Sequence, residues 1–178
     1  MTHELDALFA RQDGVASSPQ ILRVIDVAAM QRYLRNRRLV KLWPNVYSQG
    51  PTDTLTRLRG LDLRCGEPVA VCTGTAAAMY GFDTESVDAL HVLNPVGHQL
   101  RSGACLVVHR REGSPLNTYR GRPVTTPAWT AVEVARALSR PRALATLDAA
   151  LRSDTCKPVD LAAAEVGQAG RRGVVTVR

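Results

Sequence analysis

The segment from residue 26 to residue 47 constrains the fold most, because its apolar residues change from the period of a helix to that of a strand. Val27, Met30 and Leu34 recur at the spacing of one helical face. Asp26 stands just before them, where its carboxylate can accept a hydrogen bond from a free N–H of the first turn. The pattern predicts a short helix with a capped amino end.

A β-hairpin is predicted directly after this helix. Asn36 tolerates the left-handed conformation in which many helices end. Residues 39–43 then follow the period of a strand, Pro44-Asn45 fits a turn, and Val46-Tyr47 can pair back as a second strand. The hairpin has two aromatic residues, Trp43 and Tyr47, which we expect to serve its packing rather than base stacking.

Two more short helices are predicted ahead of this segment. Apolar residues share one face of a helix over residues 4–12, and Asp13-Gly14 ends it. Ser17-Ser18-Pro19 offers a capping serine, with proline at the first helical position of a second helix whose apolar side reaches Ile25. Three short helices followed by a hairpin are the order of a winged helix-turn-helix domain.

Positive charge is concentrated in the third helix and the hairpin. The chain carries a formal net charge of +7, and 21 of its 23 basic residues are arginines. Composition alone fits two explanations equally well: a protein that binds polyanions, or the arginine-rich composition that a GC-rich genome gives its proteins. Position favours the first reading, because five basic residues and no acidic one lie between residues 32 and 41.

We therefore expect the third helix to lie in the major groove of double-stranded DNA, with the hairpin as the wing. The predicted contacts to base edges are Gln31, Arg32 and Arg35. The predicted contacts to phosphates are Arg37, Arg38 and Lys41, and Ser17 is also included among the DNA-binding candidates. The alternative is a solvated basic helix face on an unrelated domain.

The chain as a whole is expected to have an α+β fold. Residues 1–50 form the predicted winged helix-turn-helix, and residues 51–178 form a small mixed α/β domain with helices at its carboxyl end. The predicted strands of the second domain are residues 69–72, 89–93, 104–109 and 122–124, in a mixed or antiparallel sheet. The predicted helices are residues 55–64, 73–80, 127–138, 141–151 and 158–166.

A second basic cluster falls in this domain. Its members are Arg101, Arg110, Arg111, Arg120 and Arg122. We expect a solvated strand edge, since arginines often protect exposed edges, although a further DNA contact or an acidic partner is the alternative.

Several classes of protein are not indicated. No apolar run reaches the ~18 residues of a membrane span, and the amino terminus lacks a signal-peptide pattern, so we expect a cytoplasmic protein. Four cysteines without a CxxC pair and four histidines without metal spacing predict no metal, no cofactor and no disulfide framework. Nucleophile and phosphate-binding motifs are missing too, so we predict no catalytic residues and no enzyme activity.

The segment ARQDGVASSPQILRVIDVAAMQRYLRNRRLVKLWPNVYS resembles the amino-terminal winged-helix domain of AbiEi-family antitoxins. In that family a GV-S-Q opening, a basic third helix and a wing ending in P-VY recur. The matching residues here are Gly14, Val15, Ser17, Gln20, Pro44, Val46 and Tyr47. The stretches TLTRLRGLDLRCGEPVAVCTGTAAAMYGF and GRPVTTPAWTAVEVARAL resemble the middle region of the same proteins. One departure is Asn36, where the family commonly has glycine.

The resemblance implies the antitoxin of a type IV toxin–antitoxin system. Such a protein represses its own promoter and counteracts a nucleotidyltransferase toxin without necessarily binding it. Related actinobacterial proteins carry the same two regions ahead of a Vsr-like endonuclease domain. The apolar stretch at residues 173–177 would more naturally continue than stop, so the alternative is the DNA-targeting front part of such a nuclease. A third reading is a domain that docks a protein partner and no DNA.

Overall fold

The structure is a computed structural model that describes residues 3–50, 52–82, 85, 88–103, 105–110 and 113–173. Helices and strands are both present, which confirms the expected α+β class. The chain divides into two compact units, residues 1–69 and 70–178. The domain boundary expected near residue 50 stays a prediction; the helix that follows it packs in the first unit.

The first unit contains four helices and three strands among its described residues. In chain order they are α1 (His3–Arg11), β1 (Val15–Ser17), α2 (Ser18–Leu22), α3 (Val27–Arg35), β2 (Val40–Trp43), β3 (Val46–Ser48) and α4 (Thr54–Cys65). The strands form one antiparallel sheet in the order β1-β3-β2. Strand β1 was not predicted from the sequence, because three residues are too few to show a period.

Helix α3 begins as its sequence predicts. The Oδ1 atom of Asp26 accepts a hydrogen bond from the backbone N–H of Ala29 at 2.6 Å. Such a cap satisfies one of the N–H groups that the first turn leaves without an intrahelical partner. Val27 is therefore the first helical residue, and the predicted capped helix is confirmed.

The other end of α3 differs from the prediction. Asn36 has φ −85° and Arg37 has φ +54°, so it is Arg37 that takes the left-handed conformation. The turn is closed by backbone bonds, since the N–H groups of Arg38 and Leu39 both donate to the carbonyl oxygen of Tyr33. These two hydrogen bonds require the left-handed residue to be Arg37. The preference of asparagine for that conformation had suggested Asn36, one residue earlier.

The buried face of α3 is also shifted from the predicted one. Met30 and Tyr33 are buried, Leu34 is only half-buried, and the side chain of Val27 is 61% exposed. Tyr33 joins a core that α1, α2 and the hairpin also supply. That core consists of Leu5, Leu8, Phe9, Ala16, Ile21, Ile25, Met30, Tyr33, Leu39 and Tyr47. Burial of the large Tyr33 ring, three residues after Met30, turns that side of the helix to the core and leaves Val27 on the solvent side.

Helix α4 holds the hairpin through Trp43. The indole N–H of Trp43 donates to the backbone carbonyl of Arg57 at 2.8 Å, and the ring is buried. Gly60 allows the close approach, because a Cβ atom there would lie 3.0 Å from the Cδ1 atom of Trp43 and 3.1 Å from that of Leu42. The end of β2 is thus fixed by a helix that follows it in sequence.

The second unit contains four helices and four strands in its described part. They are α5 (Thr73–Tyr80), β4 (Leu90–Leu93), β5 (Leu106–His109), β6 (Leu116–Tyr119), β7 (Arg122–Thr125), α6 (Pro127–Ala135), α7 (Arg140–Arg152) and α8 (Pro158–Gly167). All of the helices predicted here are present, with ends shifted by a few residues.

The predicted sheet is mixed, but its strands differ in detail. Strands β4 and β5 are parallel, whereas β6 and β7 form an antiparallel hairpin. The predicted strand over residues 69–72 forms only bridges, since Val71 pairs with both Val92 and Val124. The N–H of Val71 donates to the carbonyl oxygen of Pro123, and the C=O of Val71 accepts from the N–H of Thr125. Val71 thus joins the pair β4-β5 to the pair β6-β7. Residue 104, the predicted start of β5, lies outside the described residues.

The second basic cluster is not one solvated edge. Arg122 is buried, which corrects the expectation for that residue. Arg101, Arg110 and Arg120 are exposed, and Arg111 lies outside the described residues. Arg120 has φ +50° and, with Gly121, makes the two-residue turn between β6 and β7.

Strand β6 was not predicted from the sequence. It is exposed, and its residues do not alternate between apolar and polar.

We expect Gly60→Val to destabilise the first unit by roughly 1–3 kcal/mol, because the added methyl groups meet the Trp43 ring with no space to receive them. Chemical denaturation followed by Trp fluorescence measures the loss. Arg64→Val is the matched control, since it places the same side chain on the same helix at an exposed position. Equal stability of the two variants would contradict the proposed packing of α4 on the hairpin.

Candidate nucleic-acid interface

Helix α3 presents a continuous polar and basic face to solvent. Gln31, Arg32 and Arg35, the three residues predicted to face DNA bases, are all exposed. Gln31 and Arg35 are four residues apart and thus lie one above the other on the helix surface. The buried Met30 and Tyr33 on the opposite side fix the rotation of the helix about its axis.

Val27 and Ala28 belong to this exposed face as well. Val27 lies one helical turn before Gln31, and its side chain has no apolar cover over most of its surface. Sequence reasoning placed Val27 in the core because it counted apolar spacing only. Its place directly after Asp26 could have indicated that Val27 is exposed. In a recognition helix, the residues of the first turn are those that reach base edges.

The turn after α3 carries the next two basic residues. Arg37 and Arg38 are exposed and line a shallow groove together with Asp6 and Gln49. The Nε2 atom of Gln49 donates to Oδ1 of Asp6 at 2.7 Å, so the one carboxylate of the groove already has a hydrogen-bond donor. The positive φ of Arg37 turns the chain sharply here, between the end of α3 and the start of β2.

Lys41 extends the basic surface onto the hairpin. It is exposed and lies opposite Tyr47 in the β2-β3 ladder, while Trp43, two residues on, is buried. A bulge between Lys41 and Trp43 explains how both orientations occur two residues apart, where a regular strand would place them on one face. The sequence period alone did not predict this bulge.

The basic side chains of α3, of the turn after it and of β2 do not form ion pairs with the described carboxylates. Within the described ranges, none of Arg32, Arg35, Arg37, Arg38 and Lys41 has a carboxylate oxygen within 4.0 Å of its side-chain nitrogens. Arg32 lies over the ring of its neighbour Tyr33, 5.7 Å from the ring centre. The charges of α3, the turn and β2 are therefore available to a polyanion, and they surround an exposed helix face.

Ser17 takes a different position from the other candidates. It is half-buried in β1, and both its N–H and its hydroxyl donate to Oε1 of Gln20, at 2.8 and 2.9 Å. Gln20 is itself held by Gln12 at 3.1 Å. The predicted serine cap of α2 is present at Ser17, and Pro19 is the second helical residue, whereas the sequence had suggested the first. The proposed contact of Ser17 with DNA stays a prediction.

No metal centre is formed by the described residues, since no three of their His, Cys, Asp and Glu side chains come together as ligands. His91 and His109 instead bond to each other, with Nδ1 of His91 and Nε2 of His109 3.0 Å apart.

Three of the cysteines are buried, and Cys105 is exposed. Burial raises the pKa of the Cys65 and Cys156 thiols. In the part of the chain that the structure describes, no helix has both the length and the apolarity to cross a bilayer.

Comparison with solved structures finds a similar fold. The crystal structure of RV2827C protein from Mycobacterium tuberculosis superimposes with a TM-score of 0.63 and covers 97% of this chain and 74% of that chain. The sequences are only 16% identical, so the likeness concerns the fold alone.

Comparison with known sequences finds two similar proteins of Mycobacterium tuberculosis. They are Rv2248 of strain H37Rv and MT2308 of strain CDC 1551, and each is 51% identical to this chain over 145 residues. The match covers 82% of this chain, and the chain spans about half the length of each relative (53%).

The sequence model of one family, described as the AbiEi antitoxin C-terminal domain, matches residues 69–178. The match begins one residue before the second compact unit, which starts at residue 70. Neither this description nor the names of the relatives supports the alternative of a nuclease front part. The chain belongs to the AbiEi antitoxin family.

Proposed function

We propose that residues 1–69 bind double-stranded DNA as a winged helix-turn-helix, and that the chain is an antitoxin that represses its own promoter. The observation that carries the proposal is the exposed face of α3. It presents Gln31 together with Arg32 and Arg35, whose guanidinium groups have no ion-pair partner among the described residues. Membership of the AbiEi family supports the role in a toxin–antitoxin system.

The order of elements in the first unit supports this reading. A helix, a strand, two helices and a hairpin follow one another, and the first strand pairs with the last in a β1-β3-β2 sheet. In a winged helix-turn-helix the second helix of the motif enters the major groove and the hairpin lies beside it. Helix α3 and the β2-β3 hairpin take these positions in the chain.

The dimensions fit a groove contact. An α-helix with its side chains is about 10–12 Å across, which matches the width of about 12 Å of the major groove. Helix α3 has nine residues and is therefore about 13 Å long. With the amino end of α3 inserted, Val27 and Gln31 come to base edges, where an apolar group can contact a thymine methyl and an amide can pair with adenine. Arg35 follows on the same face.

The turn and the wing supply the contacts to phosphates. Arg37, Arg38 and Lys41 are exposed next to the carboxyl end of α3, where they can neutralise the DNA backbone on the side of the groove. Contacts of this kind release counterions from DNA, and binding therefore weakens steeply with salt. Arginine at two of the three positions can hold a phosphate with two parallel hydrogen bonds.

The antitoxin role needs no enzyme chemistry in this chain. We propose that it counteracts a nucleotidyltransferase toxin without forming a stable complex with that toxin; membership of the family supports this role. Repression by the first unit then sets the amount of both proteins. Co-expression with a nucleotidyltransferase toxin of a toxin–antitoxin system, with restored growth as the readout, tests this part separately from the DNA contact.

Replacing Arg32 and Arg35 together with alanine is expected to weaken binding to the protein's own upstream DNA by at least about tenfold. Both guanidinium groups lie on the exposed face of α3, so the fold should be unaffected. Fluorescence anisotropy at several salt concentrations measures the change. The control is Arg11→Ala with Arg64→Ala, which removes two exposed charges from α1 and α4 of the same unit. Equal loss in both double variants would mean that only net charge matters.

Arg37 and Arg38 form a matched pair for a second experiment. Arg37→Gly should leave stability unchanged or raise it by up to ~1 kcal/mol, since glycine accepts the positive φ without strain. Arg38→Gly should lower stability by roughly 0.5–1 kcal/mol, because Arg38 does not have a positive φ. Both should weaken DNA binding to a similar extent. Thermal unfolding and anisotropy give the two readouts, and a less stable Arg37→Gly protein would refute the left-handed turn.

A further inference from the structure

The second unit contains a cavity that the proposed DNA contact does not use. Its volume is about 650 Å³, which is in the range of sites for small molecules. The first turn of α5 forms one side, His91 and His109 form another, and the end of α6 with the turn after it forms a third. Thr73, Gly74 and Arg136 are among the residues that line it.

The amino end of α5 opens on this cavity without a side-chain cap. Cys72 occupies the cap position and makes no side-chain hydrogen bond to the helix. The first N–H groups of a helix have no intrahelical acceptors, and together they carry a partial positive charge. Thr73 and Gly74 of this turn line the cavity, so that end of the helix is suited to a negatively charged group.

The hydroxyl group of Thr73 is a second, independent indication. Thr73 is only 8% exposed, and its Oγ1 atom is buried without a hydrogen-bond partner in the described part of the protein. A buried hydroxyl without a partner costs free energy, because it has lost its hydrogen bonds to water and gained none in the protein. Its backbone is strained as well, since a β-branched residue here has φ +44°. A ligand that accepts a hydrogen bond from this hydroxyl would remove the first cost.

Arg136 supplies a donor from the α6 side of the cavity. Its Nη1 atom donates to the carbonyl oxygen of Arg172 at 3.1 Å, whereas its buried Nε atom has no acceptor among the described residues. Burial lowers the pKa of the Arg136 guanidinium, and the positive charge of Arg171 lowers it further. An anion beside Arg136 would offset both effects.

Two carboxylates also line the cavity, and the balance of charge has to include them. Glu85 is held by Arg142, with Nε and Oε1 2.5 Å apart, and Glu133 is buried. Arg136 and Arg172 are the cations of the lining. With Arg142 counted beside Glu85, cations exceed carboxylates by one around the cavity, before any anion is bound.

We propose that this cavity binds a small molecule through an oxyanion group, a phosphate or a carboxylate. The oxyanion accepts hydrogen bonds from the first turn of α5, from the Thr73 hydroxyl and from Nε of Arg136. The volume leaves room for a larger body against the apolar side chains of Val134 and Leu138. The site lies in residues 70–178 and does not depend on the DNA-binding proposal.

Titration of the full ¹⁵N-labelled chain with orthophosphate, and separately with acetate, tests the site. Sodium chloride at the same ionic strength is the reference. We expect saturable shifts of the Gly74 and Thr75 amide signals with at least one of the two anions. The anion that binds more tightly identifies the oxyanion class.

The variants Thr73→Val and Arg136→Gln should each weaken that binding by about tenfold, as expected for the loss of one charge-assisted hydrogen bond. Thr73→Val keeps the branched shape and removes a hydroxyl without a partner, so it should fold at least as well as the natural chain. Thr118→Val and Arg101→Gln, both at exposed positions, are the matched controls and should bind normally. Unchanged Gly74 and Thr75 signals with both anions, or equal binding by Thr73→Val, would overturn the proposal.

Discussion

The packing of Trp43 on α4 is the contact on which the geometry of the basic surface depends. The indole bonds to a backbone carbonyl of α4, and Gly60 leaves room for the ring. This fixes the end of β2, from which Lys41 projects beyond a bulge. On the other side, Tyr33 and Met30 anchor α3 in the core. Helix and hairpin are thereby held as one surface, although α4 itself contributes no residue to it.

The basic surface can attract a polyanion because, within one short segment, the apolar side chains are buried and the charged side chains are exposed. Apolar and aromatic residues of α3 point into the first unit, and the guanidinium groups point to solvent without the ion pairs that would neutralise them. Arg59, by contrast, lies 3.8 Å from Asp13 on the same unit. Carboxylates are therefore available in this unit and are simply not placed beside α3. This distribution favours a long-range attraction to a polyanion over internal stabilisation.

Much of the fold of the first unit and of its basic surface could be predicted from the sequence. The cap at Asp26, the three short helices and the hairpin follow from spacing and from residues with strong local preferences. The buried side of α3 could not, because Val27 and Tyr33 compete for the core and only packing decides between them. The bulge after Lys41 and the exposed strand β6 leave no apolar period. In the second unit the cavity was missed since its donors, Thr73 and Arg136, are ordinary residues brought together by the fold.

The central claim is that the exposed face of α3 and the neighbouring hairpin meet double-stranded DNA. Chemical-shift mapping of the ¹⁵N-labelled chain with a duplex from its own upstream region tests it most directly. The account predicts that the largest changes fall on the amides of α3, of the turn at Arg37 and of β2. Changes confined to the exposed arginines of the second unit, or to neither unit, would contradict it.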